Sequence, residues 1–175
     1  MAPFLSRFEE SVVRCGVRRG ERVLVAFSGG ADSTALLHAL ARLAPAAGFS
    51  LAAVHLNHGF RPEADTELEF CRRQCGLLQI PFYGEQTVIP RARGSRQMEA
   101  RIRRYAFLEE SADRFAADWI ALGHHADDAV ETLFLKLLAG TSPAGLASIP
   151  ACRGRFIRPL APFARTELVA WLGAE

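Results

Sequence analysis

The stretch RVLVAFSGGADS, from Arg22 to Ser33, decides the fold class. Its first half is a short run of branched apolar residues, which predicts a buried strand. Its second half is a Gly-Gly turn, and from about Asp32 onward leucines recur at helical spacing. Such a turn between a strand and a helix leaves backbone N–H groups uncovered. It therefore predicts a binding site for an anion at the start of the helix.

The same alternation of strand and helix continues along the chain. Besides the strand from Arg22 to Phe27, we expect four more strands, over Ser50–His58, Pro81–Gln86, Trp119–His125 and Phe156–Ala161. The helices are expected over Phe4–Cys15, from about Asp32, and over Glu63–Leu78, Glu99–Ala117, Asp127–Leu138 and Thr166–Leu172. This alternation predicts an α/β fold: a doubly wound, mainly parallel five-stranded sheet with helices on both faces, in one domain over residues 1–175. Ligands of such sheets bind outside the carboxyl ends of the strands.

Composition excludes several classes of protein. Half of the 175 residues are hydrophobic and 23% are charged, with a net charge of +2, which is typical of a folded domain and not of a disordered chain. The four cysteines have neither zinc-site nor CxxC spacing, and Cys71 and Cys75 are expected in the core. The N-terminus is too charged for a signal peptide, and no apolar run is long enough to span a membrane. We therefore expect a cytoplasmic protein that does not enter a membrane.

The turn itself differs from the Walker loop, because it carries no lysine for the phosphates. An acid, Asp32, stands there instead and would repel a phosphate unless a divalent metal such as Mg²⁺ bridged the two. The simpler alternative is a tight turn without a ligand, in which an acidic residue in the first turn of the helix interacts favourably with the helix macrodipole. The candidate nucleotide-binding residues of this stretch are Ala26, Phe27, Ser28, Gly29, Gly30, Ala31, Asp32 and Ser33.

A second polar cluster, GHHADDAVET, follows the expected fourth strand and begins with Gly123 and the two histidines. Asp128 and Glu131 are three residues apart and share a helix face, so they can bind an ammonium group or act as a general base. Acids are also favoured in any first helical turn, which is the simpler explanation for one or two of them. The apolar stripe expected to face the core comprises Val130, Leu133, Phe134 and Leu137.

Two more clusters complete the expected carboxyl edge. His55 and Asn57 end the second strand, beside the Gly-Gly turn, where the adenosine half of a nucleotide could lie or where polar residues simply cap the strand. Arginines crowd the start of the long helix and form either a clamp for phosphate charge or a solvated surface. They are Arg91, Arg93, Arg96, Arg101, Arg103 and Arg104. The inward stripe of this helix is expected to comprise Ile102, Tyr105, Leu108, Ala112 and Phe115.

The stretch SGGADS resembles the SGGxDS loop of the PP-loop ATP pyrophosphatases. The motifs SGGADS, HLNHGFRPEAD, ARIRRY, GHHADDAVET, GTSPAGLASIP and RPLAPFARTEL follow the order found in the tRNA(Ile)-lysidine synthetase family, over almost the whole chain. The resemblance implies a PP-loop, Rossmann-like fold that uses Mg²⁺ and ATP. It also implies the reaction. ATP adenylates the C2 carbonyl oxygen of the wobble cytidine in tRNA(Ile) with a CAU anticodon, and L-lysine then displaces AMP.

The resemblance also implies roles for individual residues. Asp128 and Glu131 would hold or deprotonate the lysine amine. Arg104 would stabilise the adenylate or the departing AMP, and His125 would lie close to the reacting carbonyl. Asp32 would be the metal ligand. The sequence does not decide the oligomeric state, and a homodimer is one option.

Other functions remain open at this stage. A PP-loop tRNA 2-thiolation enzyme would use the same adenylation, although many carry CxxC pairs that this chain lacks. Ligation of ammonia is a weaker alternative, since the chain has no glutaminase portion. A nucleotide sensor without chemistry would bind ATP and release no pyrophosphate. Family members usually continue into tRNA-binding domains that are absent here, so we expect this chain alone to bind ATP and to modify tRNA poorly.

Overall fold

The computed structural model describes residues 2–57, 64–86, 96–140 and 150–174. The strands are β1 (Arg22–Ala26), β2 (Ser50–Asn57), β3 (Phe82–Gln86), β4 (Trp119–Ala121), β5 (Cys152–Arg153) and β6 (Phe156–Ile157). The helices are α1 (Ala2–Arg14), α2 (Ala31–Ala47), α3 (Ala64–Leu77), α4 (Arg96–Arg114), α5 (Ala126–Leu138) and α6 (Arg165–Leu172). The alternation of strands and helices follows the predicted order.

The strands form one sheet in the order β3-β2-β1-β4-β6-β5. All pairs are parallel except β5 with β6, which is antiparallel. Val25 of β1 pairs with Ala53 of β2 on one side and with Ala121 of β4 on the other. The central position of β1 therefore brings the turn that follows it to the middle of the carboxyl edge of the sheet.

The predicted parallel α/β sheet is confirmed, but it has six strands and not five. The additional strand, β5, is only two residues long and reaches β6 through a turn at Gly154, so it leaves no periodic pattern in the sequence. Strands β4 and β6 are also shorter than predicted, since they end at Ala121 and Ile157. The polar residues that follow each of them belong to the loops of the carboxyl edge.

Each face of the sheet has its own core. One core joins the sheet to α1, α2, α3 and α6, and its fully buried side chains include Phe8, Leu36, Leu40 and Phe163. The other joins the sheet to α4, where Phe107, Leu108 and Ala112 are buried. Cys71 and Cys75 are also fully buried in the first core, as predicted. Helices thus cover both faces of the sheet.

The predicted inward stripes are only partly correct. On α4, Leu108 and Ala112 are buried, Tyr105 is half-buried and Ile102 is exposed. Phe115 is half-buried but lies just beyond α4, which ends at Arg114. On α5 no residue is buried, and Val130, Leu133, Phe134 and Leu137 are all exposed. Helix α5 extends from the carboxyl edge, so its apolar residues do not reach the core. None of the helices in the described ranges combines the length and the apolar character needed to cross a membrane.

Two phenylalanines test this assignment of the core. Phe163 is fully buried, and its ring lies 5.0 Å from that of Phe4, whereas Phe134 on α5 is 59% exposed. We expect Phe163→Ala to lower the free energy of unfolding by about 3–5 kcal/mol, because it removes a buried ring and leaves a cavity. Phe134→Ala should change it by less than about 0.5 kcal/mol. Urea unfolding measures both, and a large loss for Phe134→Ala would show that α5 is packed.

Candidate active site

The loop between β1 and α2 has the geometry of an anion site. Gly29 has a φ of +83°, which only glycine adopts without strain, and Gly30 precedes the helix in an extended conformation. No side chain caps the amino terminus of α2, so its first N–H groups remain free to bind an anion. The Ser28 and Ser33 hydroxyl oxygens lie 3.0 Å apart and line the same turn.

A buried group beneath the loop fixes its position. The Nδ1–H of His55 donates to the Phe27 carbonyl oxygen at 2.9 Å, and the Cys71 thiol lies 3.8 Å from the same oxygen. A Cβ at Gly29 would lie 3.3 Å from the Cys71 sulfur. His55 was predicted as a nucleotide contact, but its ring is 3% exposed and binds the loop from below. Asn57 ends β2, and its side chain lies outside the described residues.

Gly123 and His125 lie against the loop between β1 and α2, and so the residues of the motif GHHADDAVET lie close to that loop. Gly123 is so close to the start of α2 that a Cβ would lie 3.3 Å from the Ser33 backbone nitrogen. The buried His125 ring has its Nε2 3.6 Å from an oxygen of Asp32 and 3.8 Å from one of Asp128. Its Nδ1 lies 3.4 Å from Asp127. The ring therefore stands between the acid of the phosphate loop and the acids of α5.

Asp128 also stabilises the amino terminus of α5. Its carboxylate accepts the backbone N–H of His125 at 2.9 Å and so stabilises the first turn of α5. Glu131 lies one turn further along and is exposed, with no hydrogen bond or ion pair to another described residue. Both acids are therefore on α5, near the carboxyl edge of the sheet, but only Asp128 contacts the histidine.

Sequence reasoning missed Arg165, the first residue of α6. Its Nε lies 3.4 Å from an oxygen of Asp32, and its backbone N–H donates to Asp127 at 2.8 Å. This backbone hydrogen bond is the main cause that holds the pKa of Asp127 below its usual range. Arg165 thus ties α6 to both acidic positions. The motif RPLAPFARTEL was the only signal in the sequence, because the contact joins residues that are far apart along the chain.

The structure describes the side chains of three of the six arginines in the predicted cluster. Arg101 and Arg104 are exposed on α4, and their guanidinium groups lie 5.6 and 5.9 Å from the Tyr105 ring centre. Arg103 pairs with Glu99 on its own helix, at 2.9 Å. Arg91 and Arg93, together with the side chain of Arg96, lie outside the described residues. Of the three arginine side chains of this cluster that the structure describes, Arg101 and Arg104 are candidates for contact with a ligand.

A parallel sheet whose central strand leads into a glycine turn and an uncapped helix defines the class of PP-loop ATP-binding domains. The chain belongs to the PP-loop domain family, whose model matches residues 4–175. This membership agrees with the resemblance inferred from SGGADS, and it makes the chain a domain that binds ATP.

Sequence identity to individual relatives shows which members of the PP-loop family the chain is similar to. The chain is 41% identical over 167 residues to a tRNA(Ile)-lysidine synthase of Aromatoleum aromaticum, in a match that covers 93% of this chain and 38% of the relative. It is 39% identical over 156 residues to the enzyme of that name from Thermotoga maritima, over 87% of this chain and 38% of that one. The chain therefore spans less than half the length of these relatives.

Solved structures show the same fold at low sequence identity. The U34-tRNA thiolase of Methanococcus maripaludis superposes with a TM-score of 0.80 at 16% identity, over 97% of this chain and 62% of the thiolase. The NH3-dependent NAD synthetase of Campylobacter jejuni gives a TM-score of 0.58 at 17% identity, over 99% of this chain and 70% of that one. The sheet and its helices are thus shared among enzymes with different substrates.

Gly29 and Gly20 provide a matched test of the loop. Both have a positive φ, but a Cβ at Gly20 would meet nothing within 4 Å, whereas one at Gly29 would meet Cys71. We expect Gly29→Ala to weaken ATP binding at least tenfold, because the loop must shift away from the sulfur. Gly20→Ala adds the same kind of backbone strain and should leave ATP affinity unchanged. Calorimetric titration with ATP measures both, and equal affinities in the two variants would contradict this account of the loop.

Proposed function

We propose that the chain is the catalytic domain of a tRNA(Ile)-lysidine synthase. It would transfer AMP from ATP to the C2 carbonyl oxygen of the wobble cytidine in tRNA(Ile) with a CAU anticodon, and then replace AMP by lysine. One observation carries the proposal: the His125 ring contacts both Asp32 beside the phosphate loop and Asp128 on α5, at 3.6 and 3.8 Å. The nucleotide site and a candidate amine site are therefore adjacent.

In the first step the cytidine C2 oxygen attacks the α-phosphorus of ATP, and the bond to pyrophosphate breaks. The free N–H groups at the start of α2 and the hydroxyls of Ser28 and Ser33 would hold the pyrophosphate oxygens. Arg104 would stabilise the negative charge of the adenylate or of the departing AMP. Because an unmodified carbonyl oxygen is a poor leaving group, this step prepares C2 for substitution.

The residues at the loop fit a role for Mg²⁺. One oxygen of Asp32, Oδ1, is buried and has no hydrogen-bond partner, although Arg165 lies 3.4 Å from it. Mg²⁺ is usually held by one or two carboxylates together with substrate phosphates, so a single acid suffices. Within the described ranges no group of three or more acidic, histidine or cysteine residues could hold a metal alone. Asp32 would hold Mg²⁺, which would neutralise the negative charge of the substrate phosphates.

In the second step the lysine ε-amine attacks C2, and the bond from C2 to the oxygen breaks, so that AMP leaves with that oxygen. Lysine arrives as an ammonium ion, which must first lose a proton. Asp128 and Glu131 would orient this group and accept the proton. His125, which touches Asp128 and Asp32, would lie close to the reacting carbonyl.

The cysteines favour an amine over sulfur as the nucleophile. Burial raises the pKa of Cys71 to about 12, and burial likewise raises that of Cys75 to about 12. Both thiols are therefore protonated near neutral pH, and a protonated thiol is a poor nucleophile. Cys152 is exposed on β5 and lies beside Cys15, whose pKa is raised to about 12, mainly by burial, and the two do not form a CxxC pair. These cysteines argue against a thiolation enzyme.

The role of Asp32 can be tested by binding alone. We expect Mg²⁺ to tighten the binding of pyrophosphate at least tenfold in the wild-type chain, and to have no such effect in Asp32→Asn, which lacks the negative charge. Asp113→Asn is the control, because Asp113 is 73% exposed and pairs with Arg155, away from the loop. Calorimetric titration of the three proteins, each with and without Mg²⁺, gives six affinities. A Mg²⁺ effect that persists in Asp32→Asn would remove Asp32 from the metal site.

Glu131 gives the cleanest test of the amine site, because it has no partner within the described residues whose loss would affect folding. The chain spans 38% of its Aromatoleum relative, so the assay uses both this chain and a fusion that carries the remaining part of that relative. We expect Glu131→Gln in the active version to slow lysidine formation about 100-fold. Pyrophosphate release in the presence of the tRNA should continue.

Glu110→Gln, at another exposed glutamate, is the matched control and should change neither rate. Lysidine is measured as labelled lysine incorporated into the tRNA. An unchanged rate in Glu131→Gln would exclude this carboxylate from the chemistry. ATP binding without any tRNA-dependent pyrophosphate release, in the fusion as well as in the chain, would instead identify a nucleotide sensor.

A further inference from the structure

Arg158 is a buried arginine for which the reaction described above has no role. It follows β6 at the carboxyl edge of the sheet and is only 5% exposed. Its Nη1 donates to the Pro150 carbonyl oxygen at 2.9 Å, while its Nε has no hydrogen-bond partner. No carboxylate in the described ranges forms an ion pair with it. Among the described residues, one backbone carbonyl is thus the single acceptor for its guanidinium group.

A charge buried in this way is costly unless a counter-ion or further hydrogen bonds offset the loss of water. Nε and Nη2 form one edge of the guanidinium plane, and neither donates to a described residue. Two parallel N–H groups on one edge match the two oxygens of a carboxylate or a phosphate. An anion that reached this edge would therefore gain both charge neutralisation and two hydrogen bonds.

His124 adds a second buried polar atom without a partner. It lies three residues beyond β4, the strand next to β6, and the Leu122 N–H donates to the Ile157 carbonyl oxygen at 2.9 Å. The Nδ1 of His124 is buried and makes no hydrogen bond. Burial lowers the pKa of His124, and the charge of Arg158 lowers it further. His124 and Arg158 thus share one environment, which the charges of Arg101, Arg104 and Asp128 also reach.

We propose that Arg158 and His124 form a subsite that binds an anionic oxygen group of a substrate, a carboxylate or a phosphate, beside the acids of α5. The inference rests on the proposed function, in which two reactants carry such a group. One is the α-carboxylate of lysine, and the other is the phosphate of the adenylate. In either case the subsite holds a charged end of the reactant, while Asp128 and Glu131 hold the amine.

Pairs of ligands that differ in one group distinguish the two sources. L-Lysine is compared with 1,5-diaminopentane, which lacks the carboxylate, and AMP is compared with adenosine, which lacks the phosphate. Calorimetry measures all four with the wild-type chain and with Arg158→Met, which keeps the length of the side chain and removes its charge. We expect the variant to bind either L-lysine or AMP at least tenfold more weakly, with less than a twofold change for the analogue that lacks the anionic group.

A loss confined to lysine would assign the subsite to a carboxylate, and a loss confined to AMP would assign it to a phosphate. The proposal is overturned if a folded Arg158→Met binds both L-lysine and AMP as the wild-type chain does. It is equally overturned if the wild-type chain binds neither L-lysine nor AMP more tightly than the analogue that lacks the anionic group. Circular dichroism checks the fold of each variant.

Two milder variants keep the test decisive if Arg158→Met does not fold. Arg158→Lys retains the charge and loses the paired N–H edge, and His124→Gln removes the imidazole without adding a charge. Each variant should bind the same ligand, L-lysine or AMP, at least threefold more weakly than the wild-type chain does. Unchanged affinity in both variants would refute the subsite.

Lysidine formation distinguishes a failure of the subsite from a failure of the proposed function. If the fusion forms no lysidine while binding of the anionic group still depends on Arg158, the proposed function fails and the subsite stands. If lysidine forms equally fast in Arg158→Met, the subsite fails and the function stands.

Discussion

The hydrogen bond from His55 to the Phe27 carbonyl oxygen fixes the loop between β1 and α2, on which the rest of the candidate site depends. A carbonyl only accepts, so the proton lies on Nδ1 of His55, and the ring binds the end of β1 from the neighbouring strand β2. The thiol of Cys71, on α3, approaches the same oxygen and also fills the space beneath Gly29. Three elements thus fix where the chain turns, and the following N–H groups can then point away from the core.

Because the loop between β1 and α2 is fixed in this way, the positions of the acidic residues of the site follow from it. Once the loop is fixed, α2 begins at Ala31, and Asp32 lies in its first turn. The close approach of Gly123 to Ser33 sets the distance between β4 and α2, and His125 then reaches Asp32. Arg165 completes the arrangement from α6 by binding near Asp32 and Asp127. The phosphate-binding loop and the acids of α5 are therefore parts of one connected structure.

The features that could be predicted from the sequence are those encoded in short stretches. A branched run followed by Gly-Gly identifies β1 and the loop, because strand period and turn chemistry are local properties. The contacts of Arg158 and Arg165 were not predictable, since they join positions that are close only in the fold. The stripe on α5 was wrong for a related reason. Its helical period was correct, but which face meets the core depends on how the helix leaves the sheet. His55 was correctly placed at the loop, although its ring supports the loop from within.

We expect this site to join AMP to a carbonyl oxygen of the RNA before an amine attacks, and the fate of that oxygen tests this order of steps most directly. The tRNA(Ile) would be prepared with ¹⁸O at C2 of the wobble cytidine, and the fusion would be supplied with ATP and lysine. We expect the AMP released to carry the label and the modified base to have lost it. AMP without label, with the oxygen still on the base, would exclude adenylation of the carbonyl oxygen and would mean that ATP is cleaved by water.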